Sequence, residues 1–339
     1  MAASRNDPAA SGGPSAVGGR YLAGLIGGVA GACAAFFLGL GALHATGHLP
    51  PPAFSNSLCV DEKLGFMRRH PTSDADLLVI GSSVAWRHFD GAAITGLRPL
   101  NGAFCGLRAN QAVYVADWLL GREPAVSEVV MIASPQDFGE CARTREAVFD
   151  RADADRFVYG DAATWPFYVR YFAPVSLLRN ARKVRDQREA LIALDPLVFD
   201  RYADGPMDTD ASRPGLYYGA PPPLDDACFA AVDRFARRMH AEGRGFSLVV
   251  TPLHPDWKAQ QDPDGRFLAE FDRRLHALAD AHGARYWNAD REWTPPVAAF
   301  TDAIHLRWSG AQDFSAALAR ELDLDDTASP DITRATAAR

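Results

Sequence analysis

Short apolar runs and amphipathic stretches alternate along most of this chain. Near-continuous leucine and β-branched runs fall within 76–81, 128–133 and 246–251, with a shorter one at 284–287. Runs of that length without polar alternation fit strands covered on both faces. The stretches 111–120, 229–242, 266–282 and 309–322 carry apolar residues at helical spacing with polar residues between them. Strands and helices in this order predict an α/β fold, a doubly wound sandwich around a parallel sheet. Functional groups are then expected at the carboxyl ends of the strands.

Two stretches break the alternation. The segment 21–43 (YLAGLIGGVAGACAAFFLGLGAL) holds no charged residue over about 23 positions, enough for a helix to cross a bilayer core. It reads as one transmembrane helix. A signal peptide cleaved after a small residue such as Ala45 is the rival, and the apolar length favours the helix. In the leader 1–20, Arg5 and Arg20 against Asp7 place the N-terminus in the cytoplasm. The rest then lies in the periplasm, tethered to the inner membrane, after a proline-stiffened linker over 44–58.

The second break, 151–222, is rich in aromatics, among them Phe157, Trp165, Phe167, Tyr171 and Phe172, before it turns basic and helical. It reads as a helical insertion that buries its own aromatics. A lid over the site and a docking surface for a membrane partner are the functional alternatives. The insertion interrupts one domain over 59–325, and the tail 326–339 has the polar composition of a disordered segment.

Composition narrows the function classes. A net charge of -7 and a pI near 5.7, with no basic run, argue against nucleic-acid binding. Cys33 lies in the apolar helix, leaving Cys59, Cys105, Cys141 and Cys228 outside it. An even number in an oxidising compartment permits disulfides, in any of three complete pairings, and buried thiols remain the alternative. With no phosphate loop and no cysteine–histidine spacing for zinc, neither cofactor nor metal is expected.

The chemistry concentrates in two distant segments. Gly81-Ser82-Ser83 closes the first strand, where a helix start aims backbone N–H groups at developing negative charge. Asp302-Ala303-Ile304-His305 precedes the last helix, at a spacing that lets the carboxylate orient an imidazole toward a serine. Taken alone, each has a structural reading: a small-residue turn, and a helix-entry aspartate beside a surface histidine.

Taken together the segments resemble the SGNH, or GDSL, hydrolase superfamily, over about 76–322. The resemblance implies a flavodoxin-like three-layer sandwich and a serine esterase or acyltransferase site. Ser83 would be the nucleophile, His305 its base and Asp302 the orienting acid. The oxyanion would be held by the backbone N–H groups of Ser83 and Gly106, the latter in Asn101-Gly102-Ala103-Phe104-Cys105-Gly106, and by Gln136. Two spellings depart from the usual blocks: serine at 82 replaces aspartate, and Ser134-Pro135-Gln136-Asp137 replaces Gly-x-Asn-Asp. Both resemble the membrane-tethered D-alanine transfer proteins of teichoic acid D-alanylation (DltD), as does the His305-x-x-Trp308 ending. Alginate and exopolysaccharide O-acetylation proteins share the same plan.

The implied activity is transfer of an acyl group onto an envelope polysaccharide, beside a membrane-bound O-acyltransferase (MBOAT) partner. A periplasmic carbohydrate esterase is the second reading, and a non-catalytic glycan-binding scaffold the third. Arg87, Arg108 and His254 are further candidates for substrate binding.

Overall fold

The computed structural model describes residues 16–71, 74–192, 195–209 and 218–324; the leader to residue 15 and the tail expected over 326–339 lie outside them. The chain divides into two units, Met1–Leu49 and Pro50–Arg339. The first holds α1 (Ala16–Ala45), whose stretch Gly19–Ala45, with a mean hydropathy of 2.0, is long and apolar enough to cross a membrane.

The second unit is built on five strands: β1 (Leu77–Gly81), β2 (Pro99–Asn101), β3 (Glu128–Ala133), β4 (Gly245–Val250) and β5 (Arg285–Asn288). They form one parallel sheet in the order β2-β1-β3-β4-β5, the flavodoxin-like doubly wound arrangement. The expected α/β sandwich is therefore present. β2 lacks a periodic signature because it is a three-residue edge strand that opens on proline, which an edge tolerates.

The helices before the insertion are α2 (Leu58–Arg69), α3 (Ser83–His88) and α4 (Ala109–Leu120). Four short helices follow: α5 (Arg151–Val158), α6 (Trp165–Arg170), α7 (Pro174–Ala181) and α8 (Val184–Glu189). The rest are α9 (Asp226–Ala241), α10 (Pro255–Gln261), α11 (Arg266–His282), α12 (Ala289–Glu292) and α13 (Trp308–Glu321).

Alternate strand residues feed two cores. Leu78, Ile80, Val129, Met131 and Leu248 join apolar residues of α4, α9 and α11 on one face. Leu77, Val79, Val130, Ile132 and Val249 join α3 and α13 on the other. Every residue of β1 is buried, which is why its sequence shows no polar alternation.

Three aromatics of the insertion pack around a residue from outside it, whereas Trp165 and Phe172 are exposed rather than buried as expected. Phe54 lies 4.8 Å from the ring of Phe157, 5.4 Å from Phe167 and 4.8 Å from Tyr171. The cysteines pair as Cys59–Cys105 and Cys141–Cys228, with Cα atoms 6.3 and 5.2 Å apart; Cys33 is free.

Candidate active site

The strand order reverses direction between β1 and β3, and in a doubly wound sheet this is where a crevice opens beyond the strand ends. A cleft of about 490 Å³ occupies that position, lined by Ser83, Gly106, Gln136, Asp137, Tyr218 and His305 among others. The segments that follow β1, β2 and β3 supply Ser83, Gly106 and Gln136 respectively.

The turn that presents Ser83 depends on Gly81. Its φ is +145°, and a Cβ there would sit 2.4 Å from the Ile132 carbonyl oxygen of β3. Only glycine lets β1 run this close to its neighbour and still turn sharply. Ser82 then caps α3 in an extended conformation, and Ser83 is the first helical residue.

His305 reaches Ser83 from the other end of the chain. Phe300 and Leu306 form an antiparallel bridge, and the Thr301 amide donates to the His305 carbonyl at 2.9 Å, closing a tight loop. Within it Asp302 Oδ1 accepts the amides of Ile304 at 3.0 Å and His305 at 2.9 Å. The Asp302 carboxylate lies 3.0 and 3.1 Å from His305 Nδ1, and His305 Nε2 lies 3.0 Å from Ser83 Oγ. Both loop side chains are buried. An acceptor-only carboxylate fixes the proton on Nδ1 and leaves the Nε2 lone pair facing the serine hydroxyl.

A second histidine, not singled out by sequence, supports this loop. His88 Nε2 accepts the Leu306 amide at 2.9 Å, so Nδ1 carries the proton and donates to Thr251 Oγ1 at 2.6 Å. Burial, and secondarily any charge on His305, holds the pKa of His88 well below the usual histidine value.

In the same cleft Gly106 adopts φ +67°, and a side chain there would meet open space. The side-chain amide of Gln136 is buried with neither its N nor its O hydrogen-bonded among the described residues. Its backbone carbonyl accepts from Arg108 Nη1 at 2.6 Å, and Arg108 Nη2 pairs with Glu140 at 2.7 Å. Arg108, two residues after Gly106, thus ties the second candidate block to the third. Asp137 Oδ2 accepts the Ser134 amide at 3.1 Å and the Ser134 hydroxyl at 3.2 Å, and the Ser82 hydroxyl also reaches it. Burial pushes the Asp137 carboxyl up to about 6.

The other sequence candidates have different surroundings. Arg87 lines the cleft but is buried, stacked 3.7 Å from the centroid of the Trp86 ring, and donates to the carbonyls of Gly205 at 3.1 Å and Pro196 at 2.7 Å. It braces the wall formed by the insertion. His254 is not in the cleft lining: its Nδ1 accepts the Asp256 amide at 3.1 Å and caps α10. The cleft wall also includes Lys183, Gln187, Cys59 and Cys105, which carry no local motif and come together only through the chain path.

Asp90, Asp200 and Asp204 bring carboxylate oxygens within 4.8 Å of one another. Asp204 accepts from the Gly91 amide and Asn101, and burial raises its carboxyl well above the ordinary value.

The chain matches no protein-family model and no curated protein. Among solved structures it is similar to a protein provisionally assigned as a platelet activating factor from Streptococcus pneumonia, at 12% identity over 77% of this chain and 90% of that one, with a TM-score of 0.41. It is also similar to the inhibitor-bound aryl esterase of M. smegmatis, at 11% identity over 74% and 98% of the two chains, with a TM-score of 0.31.

Proposed function

We propose that this protein is an SGNH-type serine enzyme that moves an acyl group, with Ser83, His305 and Asp302 as its triad. The observation that carries the reading is the unbroken chain from Ser83 Oγ through the His305 ring to the Asp302 carboxylate, at 3.0 Å on each side, in the crevice beyond the strand ends. His305 Nε2 takes the hydroxyl proton as Ser83 Oγ attacks the acyl carbon, and Asp302 steadies the imidazolium that forms. The oxyanion is met by the Ser83 and Gly106 N–H groups and by the unpartnered Gln136 amide.

The acceptor is an envelope polysaccharide hydroxyl, and the acyl group comes from an MBOAT partner in the inner membrane. An N-terminal helix apolar enough to cross a membrane supports this placement, because a tether keeps the site at a high effective concentration near its donor. The two disulfides support an oxidising compartment, the periplasm.

Ser83→Ala is the test. The variant is expected to stay folded and membrane-bound while acylation of the polymer stops. Normal acylation in that variant overturns the enzyme reading. Rapid hydrolysis of small acyl esters by the purified protein with no transfer to added saccharide replaces the transferase with an esterase.

A further inference from the structure

One residue of the insertion that lines the cleft carries a buried hydrogen-bond acceptor with no partner among the described residues. Gln187 on α8 is only 8% exposed and lines the same cleft as Ser83 and His305. Its amide is oriented by its neighbours. Nε2 donates to the Asp195 carbonyl at 2.9 Å, and the Gln187 backbone carbonyl accepts the Leu197 amide at 2.6 Å. Oε1 is left buried and without a hydrogen-bond partner among the described residues.

An unsatisfied buried amide oxygen is unfavourable, so in a residue that lines a cleft it calls for a ligand that brings the missing donor. One Nε2 N–H is engaged by the Asp195 carbonyl, and the unmet group is the Oε1 acceptor. It matches a hydroxyl and is wrong for a carboxylate, phosphate or ester oxygen, each of which also only accepts.

We propose that Gln187 is a specificity residue that binds a hydroxyl of a neutral polyol, the saccharide to or from which the acyl group moves. This rests on the acyl-transfer reading for its role in the reaction, though not for the binding itself. A sugar ring carries adjacent hydroxyls, so one donates to Gln187 Oε1 while another reacts. In the transfer step the reacting hydroxyl oxygen bonds to the acyl carbon and the bond from that carbon to Ser83 Oγ breaks. The hydroxyl proton passes to His305 Nε2 and on to Ser83 Oγ.

The test uses the full chain in detergent, with cellohexaose, maltohexaose and chitohexaose as binding probes and p-nitrophenyl acetate as a substrate that has no sugar. Gln187→Leu is expected to weaken binding of the oligosaccharide that the parent takes best by about five- to tenfold, the loss of one neutral hydrogen bond. Hydrolysis of p-nitrophenyl acetate stays within about twofold, because the triad is untouched. Gln187→Asn, which keeps the amide on a shorter arm, should lose less affinity than Gln187→Leu, and an equal loss in both counts against the hydrogen bond.

Unchanged oligosaccharide affinity in Gln187→Leu overturns the proposal, as does a parent that binds none of the three. A parallel loss of ester hydrolysis marks Gln187 as structural and overturns it too. Absence of ester hydrolysis in the parent counts against the esterase alternative only, and the binding measurement still decides the role of Gln187.

Discussion

His88 Nε2 accepts the backbone amide of Leu306 at 2.9 Å, one residue beyond the histidine that faces Ser83. The contact joins the end of the helix begun by Ser83 to the loop that carries Asp302 and His305. The two halves of the site are therefore registered by a buried neutral ring as well as by their own hydrogen bond. His88→Ala removes this link and leaves a cavity and an unsatisfied amide. Stability is expected to fall by about 2–4 kcal/mol in urea unfolding, with kcat reduced more than KM. An unchanged kcat would confine His88 to the fold.

Asp302→Asn separates loop geometry from chemistry. Asparagine can still accept the amides of Ile304 and His305 through its oxygen, so the loop should hold. Its NH₂ group faces His305 Nδ1 and favours the tautomer with the proton on Nε2, which can no longer take the Ser83 proton. Ester hydrolysis should drop by about 10³–10⁴-fold with little change in thermal midpoint.

Gln136→Ala should produce an opposite pair of effects. Its amide has no partner among the described residues, so truncation removes an unsatisfied buried group and stability is expected to hold or rise. Removing an oxyanion donor lowers kcat by about 10²-fold. Activity unaffected by the substitution would mean that the oxyanion is held by backbone groups alone.

The two disulfides should differ in what their loss does. Cys59–Cys105 lines the cleft and adjoins Gly106, whereas neither Cys141 nor Cys228 is in the lining. Replacing either pair by serine is expected to lower stability by about 2–4 kcal/mol. Only the Cys59/Cys105 variant should also lose kcat at a temperature where both remain folded, because the segment bearing the Gly106 N–H is then released from α2.

Asp137 gives stability a pH dependence of known sign. Its folded pKa is raised to about 6 from an ordinary 3.8, so the native state holds a proton that the unfolded chain has released between those values. The stability it contributes is full below 3.8, declines as pH rises toward 6, and is constant above. Asp137→Asn should remove that decline. Unfolding free energies of parent and variant at pH 4.5 and 7 are expected to diverge by an amount on the order of 2 kcal/mol as pH rises. Parallel pH profiles would place the Asp137 pKa at its ordinary value.

Much of the fold was legible because the strands that build the sheet are buried on both faces. The apolar run 128–133 coincides with β3, and the helical pattern 266–282 with α11. β2 escaped because three residues at an edge carry no period. Ser83, Asp302 and His305 were legible because each sits in a short segment whose local geometry is set by its own neighbours: the glycine turn before the serine, the self-bonded loop around the histidine. His88 and Gln187 were not, since nothing next to them in the chain marks a buried ring or an orphaned amide, and the segment of Asp137 was marked without any sign that its carboxyl is shared with Ser82 and Ser134.

The sequence alone determined the parallel α/β sheet, the apolar N-terminal helix and the serine, aspartate and histidine, all written in local patterns of burial and turn chemistry. Tertiary structure decided which cysteines pair, that His254 caps a helix away from the cleft, and that Gln187 meets Ser83 across one cavity. Those outcomes depend on where distant segments meet, and burial and unmet hydrogen bonds come into being only when the chain has closed on itself.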